Sequence, residues 1–297
     1  MNSTSLQTLA DFAPEQSLST FSTKNILSEL SEKKLVKSAI RANWEAYHYC
    51  LGRSPNVELS IGRYLNWLMT DLPDHFMNLV VCKQLPSEGV DDLIESALAH
   101  FRSMNIRRLS WLAHEGLPSS KMKKVLYDHG LTYRDSFATE MAVFTCLLPD
   151  DLPTHPGLRI VPVVESDTLR QWIHVASIGF KISEKFEKVW YDFFADAIFN
   201  PQFQTYLALL DGKPVGTSQL FLSDGVAGIY NVTCIPEARG QGVGSSVTLA
   251  PLLDAREMGY RIGILQASKQ GYGVYCRLGF QDFGKLSLYL WENERVL

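Results

Sequence analysis

No window of the chain approaches about 18 uninterrupted apolar residues, which excludes a membrane-spanning helix. The stretch from Met1 to Thr23 is polar and rich in serine and threonine, without the apolar core of a secretory leader, so a soluble cytoplasmic protein is expected. Cysteine is sparse and unpaired. Cys50, Cys82, Cys146, Cys234 and Cys276 are widely spaced, odd in number and form no Cys-x-x-Cys element, so neither disulfides nor structural zinc is expected. The seven histidines show no metal spacing, and a helix or strand surface accounts for the proximity of His48 and Cys50. Runs of one charge sign are absent too. Basic residues come no longer than the pairs Lys33-Lys34, Arg107-Arg108 and Lys123-Lys124, and the formal net charge is −4, leaving no electrostatic case for nucleic acid or an anionic membrane.

What is present is 297 residues, 46% of them hydrophobic, enough for two domains at about 100–200 residues each. Asn25 to Tyr49 has helical spacing, and Asn78 to Cys82 is short and β-branched enough for a strand. Asp91 to Arg102 sets Leu93, Ile94, Ala97, Leu98 and Phe101 on one helical stripe behind two acids in its first turn. Arg108 to Ala113 reads as a strand, Ser119 to Asp128 as a helix, and Phe137 to Leu148 as a long strand. This is an α/β order. Pro149, Pro153 and Pro156 then mark a linker at 151–156. Beyond it, Gly157 to Ser166 reads as a strand, Asp167 to Phe180 and Ser183 to Phe199 as helices, and Gln204 to Asp211 with Val215 to Leu222 as a hairpin turning at Asp211-Gly212.

The chemistry concentrates at Arg239-Gly240-Gln241-Gly242-Val243-Gly244, between a strand-like run, Ala227 to Ile235, and a helix-like one, Ser245 to Met258. Alternating glycines let the backbone turn sharply, bare its N–H groups and aim a helix N-terminus at an anion. Ser245-Ser246 follow where a P-loop needs a lysine and a hydroxyl, which excludes nucleotide-triphosphate chemistry of that kind. A dinucleotide fingerprint would place glycine at Ser245 and an acid at the end of the next strand, and Arg261 to Gln266 carries none.

The segment resembles the acyl-CoA loop of the GNAT acyltransferase superfamily, whose pattern is Arg or Gln, two residues, Gly, one residue, then Gly or Ala. Arg239, Gly242 and Gly244 fit it. Upstream, Val232 to Glu237 looks like the family's splayed strand and its proline-containing turn, and downstream Tyr275-Cys276-Arg277-Leu278-Gly279-Phe280 is similar to its Tyr-x-x-x-Gly-Phe signature. The resemblance covers roughly residues 157–297. It implies an α/β (α+β layered) fold with a mixed, mostly antiparallel central sheet flanked by helices, and acetyl-CoA or another acyl-CoA as cosubstrate, without a metal. Main-chain groups of Val232, Thr233 and Cys234 would pair with the pantetheine arm, and those of Gly240, Gln241, Gly242, Val243, Gly244 and Ser245 would take the pyrophosphate. Ser268 stands where many relatives carry an asparagine that bonds the cofactor arm, and a hydroxyl can donate there.

The order of elements repeats about 150 residues apart, with Pro86 answering Pro236, Asp91 to Arg102 answering the helix after Gly244, and His129-Gly130-Leu131 answering Leu278-Gly279-Phe280. In the first copy the loop position holds Gly89-Val90-Asp91-Asp92, whose carboxylates would repel a pyrophosphate, and Leu126 stands at the place of Tyr275. The expected organisation is a flexible segment 1–24, a degenerate GNAT-like domain 25–150, the linker 151–156 and a catalytic GNAT domain 157–297.

Acyl transfer from a thioester to an amine needs no enzyme nucleophile, only a neutral amine and a proton for the departing thiolate. Tyr275 matches the family's general acid, a phenol of ordinary pKa near 10 serving a thiolate of similar basicity, although a tyrosine on an amphipathic helix also packs for its own sake. Several relatives place a glutamate base on the fifth strand, where Gly263 stands here; the base is unassigned, with water relayed from strand carbonyls or the acids Glu237 and Asp224 as candidates, and both acids read more readily as surface charge. Cys234 reads as a small apolar residue rather than a nucleophile. Pro251 predicts a kink in the helix after the loop. Trp172, Trp190, Tyr191, Phe193 and Phe194 read as core, some of them shaping an acceptor pocket. The expected activity is acetyl transfer to a primary amine on a small molecule or peptide; a non-catalytic acyl-CoA-binding sensor and an interaction scaffold are the alternatives.

Overall fold

The computed structural model describes residues 26–52, 57–70, 78–116, 120–151, 155–195 and 200–293. The segment 1–24, residues 152–154 of the expected linker and residues 196–199 of the second expected helix after it lie outside them. In chain order the elements are α1 (Lys33–Leu51), β1 (Val57–Ile61), β2 (Leu65–Thr70), β3 (Leu79–Cys82), α2 (Val90–Ser103), β4 (Arg108–His114), α3 (Ser120–Asp128) and β5 (Thr132–Phe144). They continue as β6 (Leu158–Pro162), α4 (Ser166–Phe180), α5 (Glu187–Ala195), β7 (Phe203–Leu210), β8 (Lys213–Ser223), β9 (Val226–Cys234), α6 (Val243–Glu257), β10 (Ile262–Ala267), α7 (Tyr272–Arg277) and β11 (Gln281–Glu292).

The run β1-β2-β3-α2-β4-α3-β5 recurs as β7-β8-β9-α6-β10-α7-β11. In both, the first three strands are an antiparallel meander, and the third pairs in parallel with the fourth after a helical crossover, so one fold occurs twice. The chain forms two compact units, and these differ from a cut at 151–156. One unit comprises Pro55–Ala138 with Gly284–Leu297; the other comprises Thr20–Ser54 with Thr139–Phe283.

Strand pairing explains the difference. In the first unit β4 takes β11 as its antiparallel neighbour, from Leu286 opposite His114 to Glu292 opposite Arg108. In the second, β10 takes the far end of β5, from Ile262 opposite Phe144 to Ala267 opposite Thr139. The closing strand of each sequence copy therefore completes the sheet of the other unit, and α1, from the first copy, is also part of the second unit.

The first unit's core gathers Trp67, Phe101, Trp111 and Tyr289 with the apolar stripe of α2, where Leu93, Ile94, Ala97, Leu98 and Phe101 are all buried as their spacing requires. In the second unit the sheet order is β5-β10-β9-β8-β7-β6, and the strand alternation sorts its two faces. Met141, Val143 and Leu265 face α6 with Leu249, Leu252 and Tyr275, whereas Ala142, Ile262 and Ile264 face α1 with Val36 and Ile40. The β7–β8 and β8–β9 turns carry positive φ at Asp211-Gly212 (50°, 79°) and Asp224-Gly225 (53°, 73°), the two-residue hairpin geometry that Asp-Gly favours.

Candidate functional site

Strands β9 and β10 pair only at Ala227 with Gly263 and Gly228 with Ile264. Beyond that, β9 runs on to Cys234 bonded to β8 alone, and β10 runs on to Ala267 bonded to β5. The facing edges of residues 229–234 and 265–267 thus share no ladder, leaving a gap lined by main-chain donors and acceptors. The equivalent pair in the first unit does not part: β3 is paired with β4 from Leu79 to Cys82, its whole length.

At the open end of β9 a single 3-10 turn, Pro236–Ala238, leads to Arg239 in extended conformation, Gly240 at φ 76° and Gly242 at φ 80°. Both φ values lie in the left-handed region, so glycine is needed to close this turn onto α6. Gly242 is the N-cap of α6 and offers no side chain to it, the first turn carries no acid, and the first helical bond runs from the Ser246 N–H to the Gly242 carbonyl at 3.0 Å. The N–H groups from Gly240 through Ser245 have no partner among the described residues. A Cβ at Gly240, Gly242 or Gly244 would meet nothing within 4 Å. Gly244 decides the matter, because it is helical and no packing among the described residues requires it to be small. Bare amides, a helix N-terminus and open space in front of Gly244 fit a diphosphate. The first unit's α2 also begins after a left-handed glycine, Gly89, but carries Asp91 and Asp92 in its first turn.

Tyr275 on α7 is 7% exposed and packs edge-on to Phe280, ring centroids 5.8 Å apart. Burial pushes its phenol well above the usual range, the neighbouring Cys234 thiol adds to this, and a hydrogen bond with the Thr248 hydroxyl opposes it. Thr248 in turn donates to the Gly244 carbonyl at 2.8 Å. Tyr275, Cys234 and the first turns of α6 are thereby brought together, as their separation in sequence could not show.

Burial also raises the half-buried Cys234 thiol, against the charge and hydrogen bond of Arg239. A thiol held protonated is a poor nucleophile. The exposed Arg239 side chain is folded back onto it. Ser268 accepts the Gly271 N–H on its hydroxyl at 3.2 Å and the Tyr272 N–H on its carbonyl at 2.9 Å, so it caps the turn into α7 and keeps its own proton to donate.

The positions considered for a base fare differently. Gly263 faces α6, where a Cβ would overlap Leu252 Cδ2, so no carboxylate fits there. Asp224 lies in the β8–β9 turn, at the end of β9 remote from the loop, and accepts the Ser223 hydroxyl at 2.6 Å. Glu237 is exposed on the 3-10 turn. Sequence reasoning passed over Glu140, fully buried on β5 opposite Gln266 and, by alternation, on the face of Ala142 and α1.

That face holds a polar network also missed from sequence. Asn43 of α1, fully buried, donates to the carbonyls of Phe221, Ser223 and Val226 at 3.4, 3.0 and 3.4 Å and accepts the Tyr230 hydroxyl at 2.7 Å. Asn231, at φ 51°, donates to the Tyr47 hydroxyl at 2.8 Å. The available signal was a β-depleted asparagine inside an otherwise apolar strand. The aromatic residues of α4 and α5 pack mainly on one another, with Phe194 5.2 Å from Trp172, 5.2 Å from Phe193 and 5.7 Å from Trp190, whereas Tyr191 lies under Arg170. The end of α4 reaches β9, since a side chain on Gly179 would overlap Thr233. Among the described residues no helix is long and apolar enough to cross a membrane.

Two copies of one mixed sheet, one with a splayed parallel pair ending in a glycine cradle, define the class. Residues 167–280 match the sequence profile of the acetyltransferase (GNAT) family, and this segment is a GNAT domain. The chain is similar in fold to a GCN5-related N-acetyltransferase from Kribbella flavida, with 19% identity over 86% of this chain and 96% of that one and a TM-score of 0.64. It is similar to a tandem GNAT protein from the clavulanic acid biosynthesis pathway, with 16% identity, 90% and 97% coverage and a TM-score of 0.58. A GCN5-related N-acetyltransferase from Sphaerobacter thermophilus gives 15% identity, 89% and 93% coverage and a TM-score of 0.58. The fold is thus a tandem GNAT fold. No curated protein matches the chain.

Proposed function

We propose that the second unit transfers an acyl group, in the simplest case acetyl, from acyl-CoA to a primary amine of a small molecule or peptide. The observation that carries this reading is the gap between β9 and β10 with bare amides from Gly240 to Ser245 at one end and Tyr275 beside Cys234. Amides of the loop and the N-terminus of α6 bind the diphosphate of the substrate, and main-chain groups of Val232, Thr233 and Cys234 hold its pantetheine arm as an added strand. Ser268 keeps a proton to offer the same arm.

Transfer is direct. The amine lone pair attacks the thioester carbonyl carbon, the C–N bond forms as the C–S bond breaks, and the amine gives up its surplus proton to water. Tyr275 delivers its phenolic proton to the departing sulfur and takes one back from the water that received the amine's proton. Its raised pKa keeps that proton in place at neutral pH. In the first unit the paired β3 and β4 and the acids of α2 remove both halves of such a site, so that copy is read as a structural partner in the cytoplasm-type soluble enzyme proposed here.

Thermal shift with CoA tests the cradle: a ligand binding only the folded state at 100 times its dissociation constant adds about 2.7 kcal/mol. Turnover of acetyl-CoA with a panel of amines tests the chemistry. CoA binding without turnover of any acceptor would leave a sensor, and no CoA stabilisation would remove the reading altogether.

A further inference from the structure

We infer that Tyr47, on α1, is a positioning residue that sets the register of the outer half of β9. The inference rests on the reading that this half carries the arm of the acyl-CoA substrate.

Between Gln219 opposite Tyr230 and Thr217 opposite Thr233, β9 advances one residue more than β8 does, a bulge with Asn231 at φ 51°. Tyr230 bonds Asn43 and Asn231 bonds Tyr47, so two consecutive side chains face α1 and the alternation is broken. Beyond the break Val232 and Cys234 belong to the cluster under α6, while Thr233 meets Gly179 of α4. Main-chain N–H and C=O groups alternate in step with side chains, so the extra residue decides which of them point into the gap and which into β8. Slip it out, and every group of the proposed arm-binding segment reverses.

A left-handed asparagine in a strand is sparsely populated and must be held by its surroundings. Three contacts hold this one. Its carbonyl, turned out of the ladder, accepts the Thr217 hydroxyl at 2.8 Å. Its Nδ2 donates to Gln219 Oε1 at 3.2 Å and to the Tyr47 hydroxyl at 2.8 Å, and that hydroxyl donates onward to Gln219 Oε1 at 3.0 Å, while Gln219 Nε2 donates to Thr205 at 3.0 Å. Thr217 and Gln219 lie on the adjacent strand, but Tyr47 lies 184 residues away in sequence. Its ring is clamped by Tyr230, stacked at 3.9 Å with planes 13° apart, and by Phe221 at 5.7 Å. Rigid placement of the ring makes the hydroxyl a fixed acceptor for Asn231 Nδ2.

Tyr47→Phe in the full-length chain keeps the stack and deletes the hydroxyl. Loss of this bond is expected to speed amide hydrogen exchange at Val232, Thr233 and Cys234 about tenfold relative to β7, and to weaken CoA about tenfold by calorimetry. In an Asn231→Ala background the same change should add nothing, because the effect passes through Asn231. Exchange rates at those three amides that stay at the wild-type value, with only a lower melting temperature, would overturn the inference whether or not CoA binds. A wild-type chain that ignores CoA while Tyr47→Phe still speeds exchange would strike the acyltransferase reading and support the link between Tyr47 and the bulge.

Discussion

Leu252 of α6 occupies the space that a side chain at residue 263 would need: a Cβ on Gly263 would overlap Leu252 Cδ2 and come within 3.3 Å of Val143 Cγ1. The glycine is there so that α6 can lie close on the sheet. Gly263→Ala is expected to cost about 1–3 kcal/mol as an overpacked core. Leu252→Ala alone should cost about 2–5 kcal/mol, yet the two together less than their sum, because each makes room for the other. Urea unfolding of the four chains measures this, and simple additivity would refute the steric account.

Gly244 separates folding from binding. An aspartate there would sit in the first turn of α6, where the helix dipole favours it and open space receives it, so stability should hold within about 1 kcal/mol. The same carboxylate would face the diphosphate. CoA affinity should fall about a hundredfold or more, as expected when a fixed like charge enters a partly desolvated anion site. Calorimetry beside a thermal melt reads both quantities, and undiminished CoA binding would move the cradle elsewhere.

Tyr275→Phe should slow acetyl transfer about a hundredfold, the usual worth of a placed general acid, with CoA affinity little changed. Because burial lifts the phenol above its ordinary value near 10, loss of its proton should not limit the wild-type rate at any pH below about 10. A wild-type rate that declines with a pKa near 8 and loses that decline in Tyr275→Phe would contradict the raised pKa, and a Tyr275→Phe chain that turns over at the wild-type rate would remove Tyr275 from the chemistry.

His48 supplies a pH dependence. Burial lowers its pKa to about 4 against an ordinary 6.5, partly opposed by its bond at 2.8 Å to the Trp44 carbonyl. The folded state thus favours the neutral ring, and the unfolded chain takes up the proton first as pH falls. Its contribution is complete above pH 6.5 and is lost as pH falls from 6.5 towards 4, amounting to about 1–2 kcal/mol by pH 5. Urea midpoints at pH 7 and pH 5 should differ more in the wild type than in His48→Asn, and equal differences would count against it.

Local signals were legible and long-range ones were not. The stripe of α2, the Asp211-Gly212 turn and the glycine loop into α6 each rest on residues within a turn or two of one another, and each lies in the structure where its spacing places it. The α/β character and the twofold repeat followed from the order of such pieces. The partner strand of β10, the partner of β4 and the face on which α1 lies follow from pairing across more than a hundred residues, which periodicity does not encode. Gly263 shows the same limit within a site. Its alignment with a base position was readable, but the direction in which it faces depends on how closely α6 lies on the sheet.

The reciprocal use of β5 and β11 bears on how this gene can be handled. A fragment comprising 157–297 would be born with β10 missing its neighbour along Ile262–Ala267 and with β11 having no β4 to join, two raw hydrogen-bonding margins of the kind that recruit stray chains. Such a fragment should precipitate on expression rather than report the minimal transferase, and activity lost on truncation would say nothing about which half performs the reaction.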